Sequence, residues 1–337
     1  MHVLQIRTFL LLLLASAAAA SAQTYNGTSL IAGHQIVVYG INNAGTSVGT
    51  AGISPRYGYL WLSNGIKQDL GSLGGKYTIA YAINNAGQVV GESETSSRTA
   101  EHAFLWSQSS GMQDLGVIGD GNSFAFAIND HGDVVGEFHN SSFDHAFLWT
   151  QSGGMRDLGS LGGSFSRATG INNAGHVVGA SYRADNTVHA FFWTAAEGMK
   201  ELDLGLNTPS YANAINDSDQ VVGSFINPAD GQLHAFLWSP ATGMRDLGTL
   251  SGKGVAFDSA AYAINNAGDV VGISRIFKAG KTKAAAFSVI WRHGSAPQKL
   301  GPLVTPKVGA LPRGAFGINT SGQIVANGAG SWLLTPQ

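Results

Sequence analysis

The stretch HAFLW occupies residues 102–106, and it recurs at 145–149 and 234–238, with HAFFW at 189–193. Successive copies start 43, 44 and 45 residues apart. A word repeated at such a period is one supersecondary unit used again and again, so the unit around it decides the fold. Upstream stands Ile-Asn followed by a polar turn: GINNAG at 40–45, AINNAG at 82–87, AINDHG at 127–132, GINNAG at 170–175, AINDSD at 214–219, AINNAG at 263–268 and GINTSG at 317–322. Downstream stands an Asp-Leu-Gly marker, as GIKQDLG at 65–71, GMQDLG at 111–116 and GMRDLG at 154–159 and 243–248. It is altered to GMKELDLG at 198–205 and APQKLG at 296–301. With YGYLW, FSVIW and SWLL counted as diverged forms of HAFLW, each repeat carries one of the seven tryptophans: Trp61, Trp106, Trp149, Trp193, Trp238, Trp291 and Trp332.

Every repeat contains four short runs with strand character. The first two, such as AYAIN and QVVGES in repeat two, are joined by Asn-Ala-Gly or a relative, which predicts a tight hairpin with Gly left-handed. Asp219 takes that place in repeat five and tolerates it better than most residues. HAFLW is the third run and the Asp-Leu-Gly marker ends the fourth. Four antiparallel strands at a period of 40 to 54 residues predict an all-β chain, a seven-bladed β-propeller of four-stranded blades. The seventh repeat stops after its third run at SWLLTPQ, and the stretch from Tyr25 matches a fourth strand. An N-terminal strand is therefore expected to close the last blade and remove both sheet edges.

The combination of HAFLW, GMxDLG, SLGG and GINNAGxVVG resembles the bacterial HAF-repeat family of extracellular proteins, over essentially all of residues 23–337. That resemblance implies export and a repeat fold, and it supplies no activity or site residues. Tyr57 and Gly58 stand in place of His-Ala in repeat one, and repeats six and seven lack the His.

The ends and the composition agree with export. MHVLQIR, an apolar run and Ala20-Ser21-Ala22 read as a signal peptide over residues 1–22, leaving one propeller domain at 23–337 that is secreted, extracellular or periplasmic. No later segment approaches the ~20 apolar residues of a spanning helix, so no membrane span is expected after cleavage. Charged residues are only 12%, Gly counts 46 of 337, and the net charge is -2, which gives no field for nucleic acid. With no cysteine, thiolate catalysis and Cys metal sites are excluded.

The repeated residues read as scaffold. His102, His145, His189 and His234 open third strands, away from a propeller axis, where a fixed structural hydrogen bond suits them better than a shared metal. The tryptophans and their alternating neighbours read as core between stacked blades. Small residues at alternate positions of the first strands, such as Ala80 and Ala82, read as packing near the axis. The Asn/Asp turns lack the D-x-D-x-D-G spacing of a calcium loop. GTSVG at 45–49 matches the nucleophile-elbow pattern but puts Ser47 in a second strand. No carboxylate pair is spaced for acid/base work, so no catalytic residue, metal or cofactor is expected.

A site is expected on the face where the variable loops emerge, from strand two to strand three and between blades. Arg275, Lys278, Lys281 and Lys283, rimmed by Phe257 and Arg313, form the candidate ligand-binding patch. The expected function is that of a secreted, monomeric, non-enzymatic propeller binding an extracellular polysaccharide or protein. The alternative is an extracellular hydrolase or lyase with an axial site.

Overall fold

A computed structural model describes residues 23–31, 36–97, 100–250, 256–277, 285–305, 312–328 and 330–337. The expected leader and Lys278, Lys281 and Lys283 lie outside the described residues. The described residues are all-β apart from a single 3-10 turn, Gly301–Leu303. Repeat two shows the pattern: strands Gly74–Ile83, Val89–Thr95, Glu101–Ser107 and Gly111–Asp114 pair in chain order, each antiparallel to the next. The same meander recurs in the repeats that open with Ile36–Ile41, Ser123–Ile128, Gly162–Ile171, Ser210–Ile215 and Ala256–Ile264. In the last repeat, Tyr25–Ile31 lies antiparallel to Ser331–Pro336 as the outer partner of the three C-terminal strands, and Val304–Thr305 adds a short parallel pairing beyond it.

The repeated word explains itself in this register. Phe104 stands directly across from Gly91 of the V-V-G run, and Phe147, Phe191 and Phe236 stand across from Gly136, Gly179 and Gly223. A Cβ on Gly91 would run into the carbonyl oxygen of Ile79 and lie 2.9 Å from the Phe104 ring, so only glycine allows the ring to lie there. Each of these four phenylalanines is fully buried, as are Ala103, Ala146, Ala190 and Ala235 beside them. The tight turns have the predicted geometry: Gly87 and its equivalents have positive φ, and Asp219 takes φ 55° in repeat five.

The core sits between sheets. Val90, Ala103 and Leu105 of repeat two pack with Ala125, Val134, Phe147 and Trp149 of repeat three, and the other interfaces are built alike. First strands of consecutive repeats lie against one another, and Gly314–Ile318 of the last repeat touches Ile36–Ile41 of the first. The sheets thus pack face on face around a common centre, the arrangement of a β-propeller.

Candidate functional site

The two ends of the central passage are built from different parts of the repeat. At the end carrying the tight turns, each Asn of the Ile-Asn pair accepts from the backbone within its own turn, as Asn42 Oδ1 does from the N–H groups of Ala44 and Thr46. Its Nδ2 then donates to the carbonyl of the equivalent Asn in the next repeat. The bonds run from Asn42 to Asn84, Asn129, Asn172, Asn216, Asn265 and Asn319, and Asn319 donates back to Asn42, all at 3.0–3.2 Å. A second tier follows outside it, in which Asn43, Asn85, Asp130 and Asn173 donate their N–H groups to the next side chain around the circle. Hydrogen bonds from Asn85 hold the Asp130 carboxyl below the usual carboxylate range against the opposing effect of burial. This end is occupied with its own bonding.

The histidines are scaffold of the same kind. His102, His145 and His234 place Nδ1 2.9, 3.1 and 2.7 Å from the carboxylates of Asp114, Asp157 and Asp246, twelve residues on in the fourth run of the same sheet. His189 meets Glu201 instead, because the insertion in GMKELDLG moves the aspartate to Asp203. The aspartates also accept from the glycine that ends the marker, as Asp157 does from Gly159 at 2.7 Å. Trp61, Trp106, Trp149, Trp193 and Trp291 are buried, whereas Trp238 and Trp332 are half-buried. Ser47 is buried inside a strand, paired across from Ile41 and Trp61.

The small residues of the first strands pack where those strands crowd together, and they are only part of what surrounds the centre. In every first strand the pairing slips by one residue before Ile-Asn, for instance between Ala80 and Ala82 or between Val38 and Gly40, which inserts an extra residue as a β-bulge. The inserted residues are Tyr39, Tyr81, Phe126, Thr169, Asn213, Tyr262 and Phe316. They meet one another around the centre: Tyr39 and Tyr81 are 5.2 Å apart, Tyr81 and Phe126 5.4 Å, and Tyr262 stacks on Phe316 at 5.2 Å. Thr169 and Asn213 donate to carbonyls of the following first strand. The passage is therefore lined by aromatic and polar groups as well as by alanine and glycine. The sequence signal was the large residue framed by two small ones just before Ile-Asn.

Beside these rings, on the variable-loop side, the second strands of repeats two and three bring in Glu92 and Glu137, both buried. Their sequence distance of 45 hid a pair that occupies equivalent positions in neighbouring sheets. Arg167 grips Glu137 with Nε and Nη2 at 2.6 Å each, and its guanidinium lies over Phe126 at 5.0 Å. His139 Nε2 stands 3.3 Å from the same carboxylate. Glu92 accepts from the Tyr77 hydroxyl at 2.9 Å. Burial raises the Glu92 carboxyl to about 7, with Tyr77 pulling the other way and the charge of Glu101 adding to the rise. The Tyr77 and Tyr81 hydroxyls are pushed up in turn, by burial first and the neighbouring Glu92 second.

The expected basic patch is only partly described, and what is described is built otherwise. Arg275 turns to Asp258 at 3.1 Å, and Phe257 is buried in the core with Val270 and Trp291 instead of standing at a rim. Arg313 is exposed. Among the described residues, six large hydrophobic side chains are exposed, and five of them, Ile53, Tyr57, Tyr182, Tyr211 and Phe277, stand at the variable-loop ends of their strands or in those loops. Ile66, in a turn between third and fourth strands, is the exception. Among the described residues no group of three His, Asp or Glu side chains could hold a metal ion, and no helix is long and apolar enough to cross a membrane.

Neither a protein-family model nor a curated protein matches the chain. Among solved structures, a puromycin hydrolase mutant complexed with PGG superposes with a TM-score of 0.52 at 13% identity, over 87% of this chain and 50% of that one. The Dos1 propeller gives 0.49 at 10% identity over 93% and 95%, and a gluconolactonase from Xanthomonas campestris 0.44 at 8% over 93% and 90%. At 13% identity the likeness to the puromycin hydrolase is one of chain path alone, and the β-propeller arrangement rests on the packing of the sheets themselves.

Proposed function

We propose that the chain is a seven-bladed β-propeller of the HAF-repeat kind, exported with loss of residues 1–22 as a single domain, that holds an extracellular polysaccharide on its variable-loop face. The closed circle of asparagine bonds and the pairing of Tyr25–Ile31 with Ser331–Pro336 support the blade count and the closure. The binding reading rests on one observation: the exposed apolar side chains gather on the face that carries the variable loops. Exposed tyrosines offer a flat apolar ring and a polar hydroxyl at small entropic cost, which suits the alternating C–H and O–H surface of a sugar. They are also spread out, with Ile53 and Tyr57 on repeat one, Tyr182 and Tyr211 on repeats four and five, and Phe277 on repeat six. A protein partner would favour one contiguous apolar patch, whereas an extended polymer can use separate platforms.

The test is binding of the purified chain to an array of bacterial and plant polysaccharides, beside a double variant Tyr182→Ala and Tyr211→Ala and a control variant Ile66→Ala on the opposite face. The expected result is retention by the control and loss on the order of tenfold or more by the double variant, since burying each ring contributes ~1–2 kcal/mol. Equal binding by all three proteins, or none by any, overturns the reading. Release of soluble sugar in the same incubations would turn it towards an axial hydrolase or lyase.

A further inference from the structure

Repeats two and three put a carboxylate at the second-strand position where the other repeats carry Thr50, Ala180, Ser224, Ile273 and Asn327. Around Glu137 the arrangement is complete. The following first strand sends Arg167 to it, the guanidinium forks onto both carboxylate oxygens, and the rings of Phe126 and Phe165 lie 5.0 and 5.9 Å from its centre. Glu92 has the same surroundings without the cation. The residue in the place of Arg167 is Phe124, and among the described residues Glu92 makes no ion pair. Its neighbours are the hydroxyl of Tyr77, the ring of Tyr81 with Tyr39 and Phe126 on either side, and the like charges of Glu101 and Glu137. A buried carboxylate with no cation in direct contact is costly, and electron-rich rings around it add to the attraction for a cation, although the charge of Arg167 beyond Glu137 reaches it from a distance. One carboxylate among aromatic rings is also the wrong donor set for a hard metal ion, which wants several oxygens.

We propose that Glu92, with the rings of Tyr39, Tyr77 and Tyr81, binds a small organic cation, a protonated amine or a guanidinium, which would serve Glu92 as Arg167 serves Glu137. The approach is from the variable-loop face, where a cleft lined by Arg56, Tyr77, Glu94 and Glu101 reaches the tyrosine that bonds Glu92. The site therefore rests on the reading of that face as the binding face, and it adds the chemistry of one group of the ligand. The charged and titratable groups facing Glu92 are Tyr39, Tyr77, Tyr81, Glu101 and Glu137, with Arg56, Lys76 and Glu94 in the cleft beyond Tyr77 and Arg167 beyond Glu137. Because the cation needs the ionised carboxylate, its affinity follows the ionised fraction of Glu92.

Isothermal titration of the purified chain with agmatine, with glucosamine and with the tripeptide Gly-Arg-Gly tests this. Saturable one-to-one binding is expected at about pH 8, weaker on the order of tenfold at about pH 6, and absent in Glu92→Gln. Tyr81→Phe, which keeps the ring, should bind, and Tyr81→Ala should not. Binding confined to agmatine identifies a free amine as the source, glucosamine an amino-sugar polymer, and the tripeptide a basic protein side chain. Failure of all three ligands to saturate at the higher pH overturns the proposal, as does binding that survives Glu92→Gln. The double variant Tyr182→Ala and Tyr211→Ala should lose polysaccharide and keep the cation, so the two readings fail separately.

Discussion

Glu92 is the residue at which the molecule gives up stability. Its carboxyl has an ordinary value of 4.5 and titrates at about 7 in the fold, so between those values the folded chain holds a proton that the unfolded chain has released. Stability from this group is greatest at acid pH, falls as the pH rises from about 4.5, and is lowest above about 7, by ~3 kcal/mol. Glu92→Gln keeps the shape and removes the charge. Thermal unfolding across that window should show the variant more stable than the parent at about pH 8 and similar to it at about pH 4.5. A lower melting temperature for the variant at the higher pH would mean that the carboxylate is paid back by a partner in the folded chain. Trp149 is an ordinary core residue by contrast, buried with Val134 and Phe147, and Trp149→Ala should cost ~3–5 kcal/mol in the same experiment. The burial of Trp149 could be read from the alternation in HAFLW, because facing sheets bury aromatic residues at strand spacing. The environment of Glu92 could not, since its tyrosines come from first strands and the missing cation is visible only against Arg167 in the next sheet.

At the scale of the element, the third and fourth runs are tied together by one aspartate. Asp157 accepts from the Gly159 N–H and faces His145 Nδ1, so one side chain fixes both the exit from the strand and the imidazole. Asp157→Ala should lower stability by ~1–3 kcal/mol, whereas Asp157→Asn, which can still accept from Gly159, should lose less. Equal losses in urea unfolding would show that the carboxylate charge matters more than the turn. The sequence led to the expectation of a fixed hydrogen bond for His145 and left its acceptor open. That acceptor depends on cross-strand register, which the Ser/Gly turn sets, and in repeat four an insertion passes the role to Glu201. The first strands hold one residue more than their alternation shows, for a related reason. Strict alternation assigns Ala80 and Ala82 to one face, but the bulge between them adds a residue, and Tyr81 joins the rings at the centre. A slip of pairing by one residue re-aims side chains without leaving a mark in composition.

For the whole molecule, the decisive contact joins the two ends of the described chain. Tyr25–Ile31 completes the sheet of the last repeat, and Tyr25 itself is buried there with Leu300 and Leu334. Removing residues 23–31 should expose the edge of Ser331–Pro336, lower the melting temperature and promote association. Light scattering and calorimetry would measure both effects, and an unchanged particle mass and melting temperature would refute the closure. The circle of asparagine bonds is its counterpart at the inner strands, since it links each repeat to the next and returns from Asn319 to Asn42. By itself the sequence determined the repeat, its strands, its tight turns and its buried aromatic residues, because each follows from local periodicity and from side chains that only one backbone shape accepts. Only the tertiary structure decided what surrounds the centre, which carboxylate has a cation and which does not, and which face leaves its aromatic rings exposed. Those depend on residues of different repeats meeting in space, and the chain records such meetings at separations of 30 residues and more, where no local pattern reaches.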